Sequence, residues 1–572
     1  MENLKKISYI LLIFLILISI NSISGANIVD IQDSSFYNDP ALSLSNQIQK
    51  IIDAALEGTT INFLGTNYVD LTLIINKSLN IISSTGTTIQ NSNSLNAVFF
   101  INGSSASGTN ISGFNIINDN INGNGITLNN TKNIIIKNNH IKANGSSIAV
   151  NGSSNITINN NSIEKSNEGI SVKDTQDITI EKNTIEENNE GIYLENTTNT
   201  NIKNNKINKS KKNGISLKNT KKTTIENNNI TNNNNGIYLF NTENTQIDYN
   251  NIENNIESGI LAENNAKNLD IRRNNISDNH YGIRLDSSDN SNLIIKSNSI
   301  NRNYEGVSFS LGYVDHKSKD ISSNDLSGNI GRSIEAKESN YYESLGVGPN
   351  WYGANDYAYT NICPKLQTGL IQFNFVSSGN GIYTGTLTYN GKIMSDLPPM
   401  TLLIRFQDER MWVNIEGGKV TVDFGSGFDE KNRGSIIETY LNNQRGKLAI
   451  NYNKNAEKIK SPIMGGNGNG GSGNGGSGIG YGIGSGNTQR TGVTNGGVSG
   501  AMTTPGDSGS SSSSSGNMAN AQSSQQVKEI AIDDYNILKM DDTRLLTAFI
   551  IILLFGSIVI GYISKKRAKK SL

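Results

Sequence analysis

Apolar residues along the middle of the chain recur as short alternations, not as helical stripes. A small residue followed by an apolar-x-apolar triplet stands at Gly125, Ser147, Gly169, Gly191, Gly214, Gly236, Gly259, Gly282 and Gly306, in steps of 22 to 24 residues. The triplets run from Ile126/Leu128 through Ile192/Leu194 to Val307/Phe309. Such short alternation is strand periodicity with one face buried. A second apolar column passes through Ile134/Ile136, Ile156/Ile158, Ile178/Ile180, Ile202, Ile225, Ile247, Leu269/Ile271 and Leu293/Ile295. A third passes through Ile141, Ile163, Ile185, Ile207, Ile230, Ile252, Ile276 and Ile300. Two residues before each member of the third column is an asparagine: Asn139, Asn161, Asn183, Asn205, Asn228, Asn250, Asn274 and Asn298. Three strands per repeat without a helix-length segment predict an all-β fold, a right-handed parallel β-helix. One turn cannot bury its own strands, whereas turns stacked about 4.8 Å apart share one apolar column.

The asparagine column is expected at a single corner. There an amide bonds the backbone or the next turn's amide, and Asn tolerates the left-handed conformation. A looser column, Asn130, Asp174, Asn196, Asn219, Asn241 and Asn264, is interrupted by Gly152 and Ser287. Phe114, Asn115 and Ile117 suggest an earlier turn, and Ile74/Ile75 with Ile81/Ile82 one before it. Residues 60–340 leave room for roughly twelve turns at about 4.8 Å each. Residues 41–57, with Leu44, Ile48, Ile51, Ile52 and Ala55, predict an amphipathic helix covering the open N-terminal end. Trp351, Tyr352, Tyr357 and Tyr359 gather aromatics where the other end should be sealed. Residues 366–455 carry short strand-like runs broken by Asn390-Gly391, Pro398-Pro399 and Gly417-Gly418, which predicts a β-sandwich module.

The ends add compartment. Lys5 and Lys6 precede the apolar run Ile7 to Ile20, and Ser24, Gly25 and Ala26 suit a cleavage site, so residues 1–26 predict a secretory signal peptide. Leu545 to Ile563 is nineteen uncharged residues followed by Lys565, Lys566, Arg567, Lys569 and Lys570. That predicts a single-pass anchor with a cytoplasmic tail and everything before it outside the cell. The expected order is signal peptide 1–26, N-terminal cap 27–58, β-helix with its C-terminal cap 59–363, sandwich-like module 364–460, Gly/Ser/Asn-rich tether 461–525, juxtamembrane segment 526–544, membrane helix 545–563 and basic tail 564–572.

Composition narrows the chemistry. Forty-nine basic and 50 acidic residues give a net charge of -1, which offers nothing to a nucleic acid. One cysteine, Cys363, excludes an internal disulfide and a thiolate cluster. His140, His280 and His316 lie far apart, and there is no EF-hand or Walker loop, so no cofactor or metal is expected. Asn-x-Ser/Thr sequons recur from Asn76 to Asn275 as possible glycan sites.

The Gly-Ile-x-Leu, Asn-x-x-Ile and Asn-x-Ile columns resemble the right-handed parallel β-helix repeats of pectate-lyase-like and NosD-like proteins. The whole plan resembles the adhesin-like surface proteins of methanogenic archaea. The segment Asn350 to Gly353 is similar to that family's Asn-Trp-Trp-Gly, and Leu387-Thr388-Tyr389-Asn390-Gly391-Lys392 to its immunoglobulin-like module. The resemblance spans residues 27–460 and implies a β-helix scaffold, which hosts enzymes and binders alike.

Two functions are weighed. Non-catalytic binding of extracellular carbohydrate, or of a protein on another cell's surface, would use outward positions of the first strands. Tyr193, Tyr238, Tyr281 and Arg284 are the candidates there, by stacking on sugar rings or packing on a partner. A polysaccharide lyase or glycoside hydrolase would need two facing carboxylates. Glu168 and Glu190 occupy equivalent positions on adjacent turns, and Asp286 shares a turn with His280 and Arg284. The Glu168/Glu190 pair has no converging base, arginine or histidine beside it, and the Asp286 set is the less unsuitable of the two; no catalytic residue is assigned.

Overall fold

The computed structural model describes residues 27–92, 97–289, 291–309, 319–336, 347–362, 366 and 368–451. The expected signal peptide, tether, juxtamembrane segment, membrane helix and basic tail lie outside them, as do Cys363 and His316. Among the described residues no helix is long and apolar enough to cross a membrane.

The described residues between 27 and 362 wind into a parallel β-solenoid of the right-handed type. A regular turn supplies three strands, as in Glu168–Lys173, Gln176–Glu181 and Thr184–Glu186. Successive turns stay in register: Ile148 opposes Ile170, Ile170 opposes Ile192, and Ile192 opposes Ile215. The third sheet is eleven strands deep, and beyond it the pairing continues as single bridges from Ser299 to Asp325 and from Asp325 to Trp351. The three apolar columns point inward and are buried throughout. Where the second loses an isoleucine, Thr200, Thr223 and Thr245 take the buried slot.

The asparagine column is one continuous ladder at one corner. Each Oδ1 accepts the backbone N–H and the side-chain N–H of the previous rung, as from Asn205 to Asn228 at 2.9 and 3.0 Å. The ladder extends past Asn298 through Asn324 to Asn350. At its start Phe114 occupies the slot, donating its N–H to Asn139. A second buried ladder, not singled out in the sequence, joins Asn233, Asn255, Asn279, Asn303 and Asn329.

The left-handed residue is not the ladder asparagine itself but the one before it: Asn138, Asn160, Lys182, Asn204, Asn227, Tyr249 and Arg273 all have φ near +55°. That corrects the expected reason for the asparagine, which is hydrogen bonding alone. The looser column is also a left-handed corner. Asn130, Asp174, Asn196, Asn219, Asn241 and Asn264 have φ of 51–62°, and Gly152 at +59° continues the corner instead of interrupting it. The small-residue column answers to close approach. A Cβ on Gly236 would lie 2.5 Å from the Gly259 carbonyl oxygen and 2.7 Å from Ile252.

At the N-terminal end the predicted helix is Leu44–Ala54, capped by the Ser43 side chain and burying Ile48 and Ile52. It packs on Leu73–Ile75, the first strand of the first sheet. At the other end the chain divides its loyalties: Asn350 closes the ladder, Tyr352 enters the solenoid core, and Trp351 enters a second core. That second core lies between two four-stranded antiparallel sheets. One comprises Gln372–Gly379, Ile382–Tyr389, Lys392–Ile393 and Lys419–Asp423. The other comprises Met400–Phe406, Glu409–Ile415, Ile436–Leu441 and Gln444–Ala449. Trp351 Nε1 donates to Asn442 Oδ1 at 2.8 Å, tying the solenoid's end to this module.

Candidate functional site

The outward positions of the first sheet form rows, because the pairing never slips from Thr127 to Ser308. One row reads Thr127, Ala149, Ser171, Tyr193, Ser216, Tyr238, Leu261, Arg284 and Ser308. Tyr193 and Tyr238 are two turns apart, about 10 Å. The residues beside them are small: Ser216 between the two and Ser171 before Tyr193 are buried beneath their neighbours. A flanking row holds Glu168 opposite Glu190, and another segment of it holds Ser258, Tyr281 and Glu305. The row on the other flank runs Lys173, Glu195, Lys218, Phe240, Glu263 and Asp286.

All four sequence-predicted residues therefore share one face, and each is held by a neighbour. The Tyr193 hydroxyl donates to Glu195 Oε2 at 3.0 Å, with Lys173 5.4 Å from the ring centroid. Lys218 lies 2.9 Å from the same Glu195 and, with the Tyr193 hydrogen bond, holds that carboxyl below its usual range. The Tyr238 hydroxyl donates to Glu263 at 2.7 Å. Burial first, then the adjacent carboxylate, pushes both phenols well above their ordinary value, so both remain donors. Arg284 pairs with Asp286 at 2.6 Å and stacks on Tyr281 at 5.1 Å. His280 stacks on Tyr304 at 4.9 Å, edge-on to Tyr281. Asp286 and His280 are thus committed to structural contacts with different neighbours.

Glu190 differs. Burial raises its carboxyl above the usual range; Lys212 opposes the rise and Glu168 adds to it. Its Oε2 is buried without a hydrogen-bond partner. Toward the C-terminal turns Arg284 Nε, Asp286 Oδ1, Glu305 Oε2, Ser258 Oγ and Ser308 Oγ are likewise buried and unpartnered. The face offers fixed rings beside a mixture of donors and acceptors, a chemistry suited to hydroxylated or mixed polar surfaces.

Two features escaped the sequence. The carboxylates that orient the tyrosines sit four positions after the small residue, at Glu195 and Glu263, and following that position from turn to turn would have found them. The row also continues backward through Ile74 and Phe100. There Ser45, Asn46 and Gln49 of the helix and Asn124 and Thr127 of the sheet enclose a cavity of about 470 Å³. Those early turns lack the Gly-Ile-x-Leu signature, so nothing aligned them.

Residues 107–271 match the model of a family described as periplasmic copper-binding protein (NosD). No curated protein matches the chain in sequence. The chain is similar to the A-module of the mannuronan C-5 epimerase AlgE4 of Azotobacter vinelandii, at 14% identity and a TM-score of 0.38 over 54% of this chain and 98% of that one. It is similar to PfbA, a surface adhesin of Streptococcus pneumoniae, at 15% identity and a TM-score of 0.42 over 55% and 93%. It is also similar to an exopolygalacturonase of Thermotoga maritima, at 9% and 0.38 over 54% and 88%. Copper takes thiolate, thioether or imidazole ligands. The matching segment contains no cysteine, no methionine and one histidine, His140, which faces Glu164 at 3.7 Å. Among the described residues no three His, Cys, Asp or Glu groups are placed to hold a metal. The residues present do not fit copper, and what the chain shares with that family is a NosD-like repeat over residues 107–271, wound as a parallel β-solenoid.

Proposed function

We propose that the chain is an adhesin-like cell-surface protein whose solenoid binds, without turning over, a polysaccharide, cell-wall or partner-cell ligand. One observation carries this: Tyr193, Tyr238 and Arg284 stand in a single row, and Glu195, Glu263 and Asp286 one column away each anchor one of them. Those carboxylates serve as orienters for recognition side chains, and rings fixed in advance lose less entropy on binding. The bulk of the chain lies outside the cell, exported by residues 1–26, presented by the tether and retained by Leu545 to Ile563. The antiparallel module, taken as immunoglobulin-like, stands between the solenoid and the tether.

The test is attachment of the secreted protein to immobilised polysaccharides and intact cells. Replacing Tyr193 and Tyr238 by Ala and Arg284 by Gln together should weaken attachment at least tenfold, with circular dichroism and melting point unchanged. Unaltered attachment moves the site off this face. With a net charge of -1, this binding should respond little to salt. Glu190 favours a second reading, a membrane-anchored polysaccharide lyase or glycoside hydrolase. Its raised pKa suits a general acid, and Glu168 lies opposite on the preceding turn. Release of reducing ends or unsaturated uronides, lost in Glu190→Gln, would replace the adhesin reading with that one.

A further inference from the structure

The outer face of the second module sheet is unlike the rest of the molecule. Strand alternation turns Met400, Leu402, Ile404, Ile437, Leu441 and Leu448 into the module core. It leaves two cross-strand rows facing out. One reads Trp412, Leu403, Tyr440, Arg445; the next reads Arg410, Arg405, Glu438, Lys447. Trp412, a large aromatic, is 66% exposed. Four cations meet one carboxylate, so the face carries a net charge of +3 although the chain as a whole is near neutral. Glu438 is consumed within the face: Lys447 lies 2.9 Å away and Tyr440 donates to it at 2.9 Å, and together they hold its carboxyl below the usual range. Among the described residues none of the three arginines is in an ion pair. Arg405 and Arg445 instead lie 5.9 and 5.8 Å from the Tyr440 ring centroid.

We propose that this sheet face is a second binding site, for a carboxylated polysaccharide laid across the strands. Sugar rings would stack on Trp412 and Tyr440, and carboxylates would meet Arg405, Arg410 and Arg445. The two rows span three strand steps, about 14 Å, which is enough for a short run of such a polymer. Arginine's planar fork matches a carboxylate in two parallel hydrogen bonds. A lipid surface would need more apolar area than one projecting tryptophan. An acidic peptide would satisfy the arginines but gives the rings no partner. This site lies outside the solenoid face and is independent of the function proposed for it.

The experiment compares carboxymethyl-dextran with unmodified dextran of equal length, using the full-length protein in detergent, with polyglutamate and phosphatidylserine vesicles as further probes. Carboxymethyl-dextran should bind at least tenfold more tightly than dextran, and its affinity should fall several-fold between low and physiological salt. Arg405→Gln, Arg410→Gln and Arg445→Gln combined should remove at least tenfold of that affinity, and so should Trp412→Ala alone. Lys392→Gln, which removes an exposed cation from the other module sheet, should leave it unchanged. Trp412→Phe, which keeps a ring, should recover most of the loss and guards against a folding artefact. Wild-type affinity in the arginine variant, or equal binding of polyglutamate or vesicles, would overturn the proposal.

Discussion

A side-chain amide has two donors and two lone pairs, and Asn228 uses all of them while 2% exposed. Its two Nδ2 hydrogens serve three acceptors, the carbonyls of Ile202 and Glu226 and Asn250 Oδ1, so one is shared, and its Oδ1 accepts from the backbone and side chain of Asn205. Asn228→Ala strands several buried partners at once. It should cost about 2–4 kcal/mol, well above one ordinary hydrogen bond, because each buried group left unpaired costs about 1–3 kcal/mol. Urea unfolding of the domain measures it. Asp325 illustrates the opposite case. It follows Asn251, Asn275 and Ser299 in the same register row, all uncharged. Burial raises its carboxyl above the usual range despite the hydrogen bond that the Ser327 backbone N–H donates to it. The folded state therefore disfavours the ionised form. Stability falls as pH rises from the ordinary aspartate range, about 3.9, through the raised pKa, and the penalty is complete above it. Asp325→Asn should raise the urea midpoint at pH 7 and match the wild type near pH 4, as a pair of unfolding series would show.

At the scale of elements, corners and edges explain why this composition suits this fold. Each regular turn places four non-glycine residues at positive φ, as at Asp174, Asp177, Lys182 and Glu187. Left-handed backbone costs L-residues about 1–2 kcal/mol, least for Asn and Asp. The asparagine excess is partly the chemistry of those corners and partly that of the two buried ladders. The corners were legible as columns, but which residue of the pair turns and which bonds inward was not, because both are Asn in half of those turns. The edge is handled differently. Gln49 donates to the Ile74 carbonyl and accepts its N–H, both at 2.9 Å, so one side chain imitates a neighbouring strand. An unpaired edge recruits other strands. Gln49→Ala should speed hydrogen exchange at the Ile74 amide and cost about 1–2 kcal/mol, while amides of Gly169 to Val172 keep their protection. Unchanged exchange at Ile74 would mean that the helix backbone alone shields this edge.

For the molecule as a whole, the solenoid was readable because burial imposes a period, and three periods in one phase leave one winding. The binding face was readable only in part. Register put Tyr193, Tyr238 and Arg284 in one row, but exposed positions answer to no period, so Glu195 and Glu263 show only when their position is followed from turn to turn, and the Trp412 face carried no signal. The proposed topology rests on the sequence of the two ends, which lie outside the described residues. The run Ile7 to Ile20 is too short to span with ease and is followed by small residues, whereas Leu545 to Ile563 is long enough and is followed by five cations within six positions. Cations next to a span stay on the cytoplasmic side. The long Gly/Ser/Asn stretch before that span has almost nothing to bury and should be the most protease-sensitive part of the chain. Protease added to intact cells should therefore release one large fragment containing the solenoid and module, and leave a small membrane-bound remnant. An epitope tag placed after Leu572 should stay with that remnant and be reached by antibody only after the membrane is permeabilised. A tag accessible on intact cells would reverse the orientation and place the solenoid inside, where an adhesive function has no partner to meet.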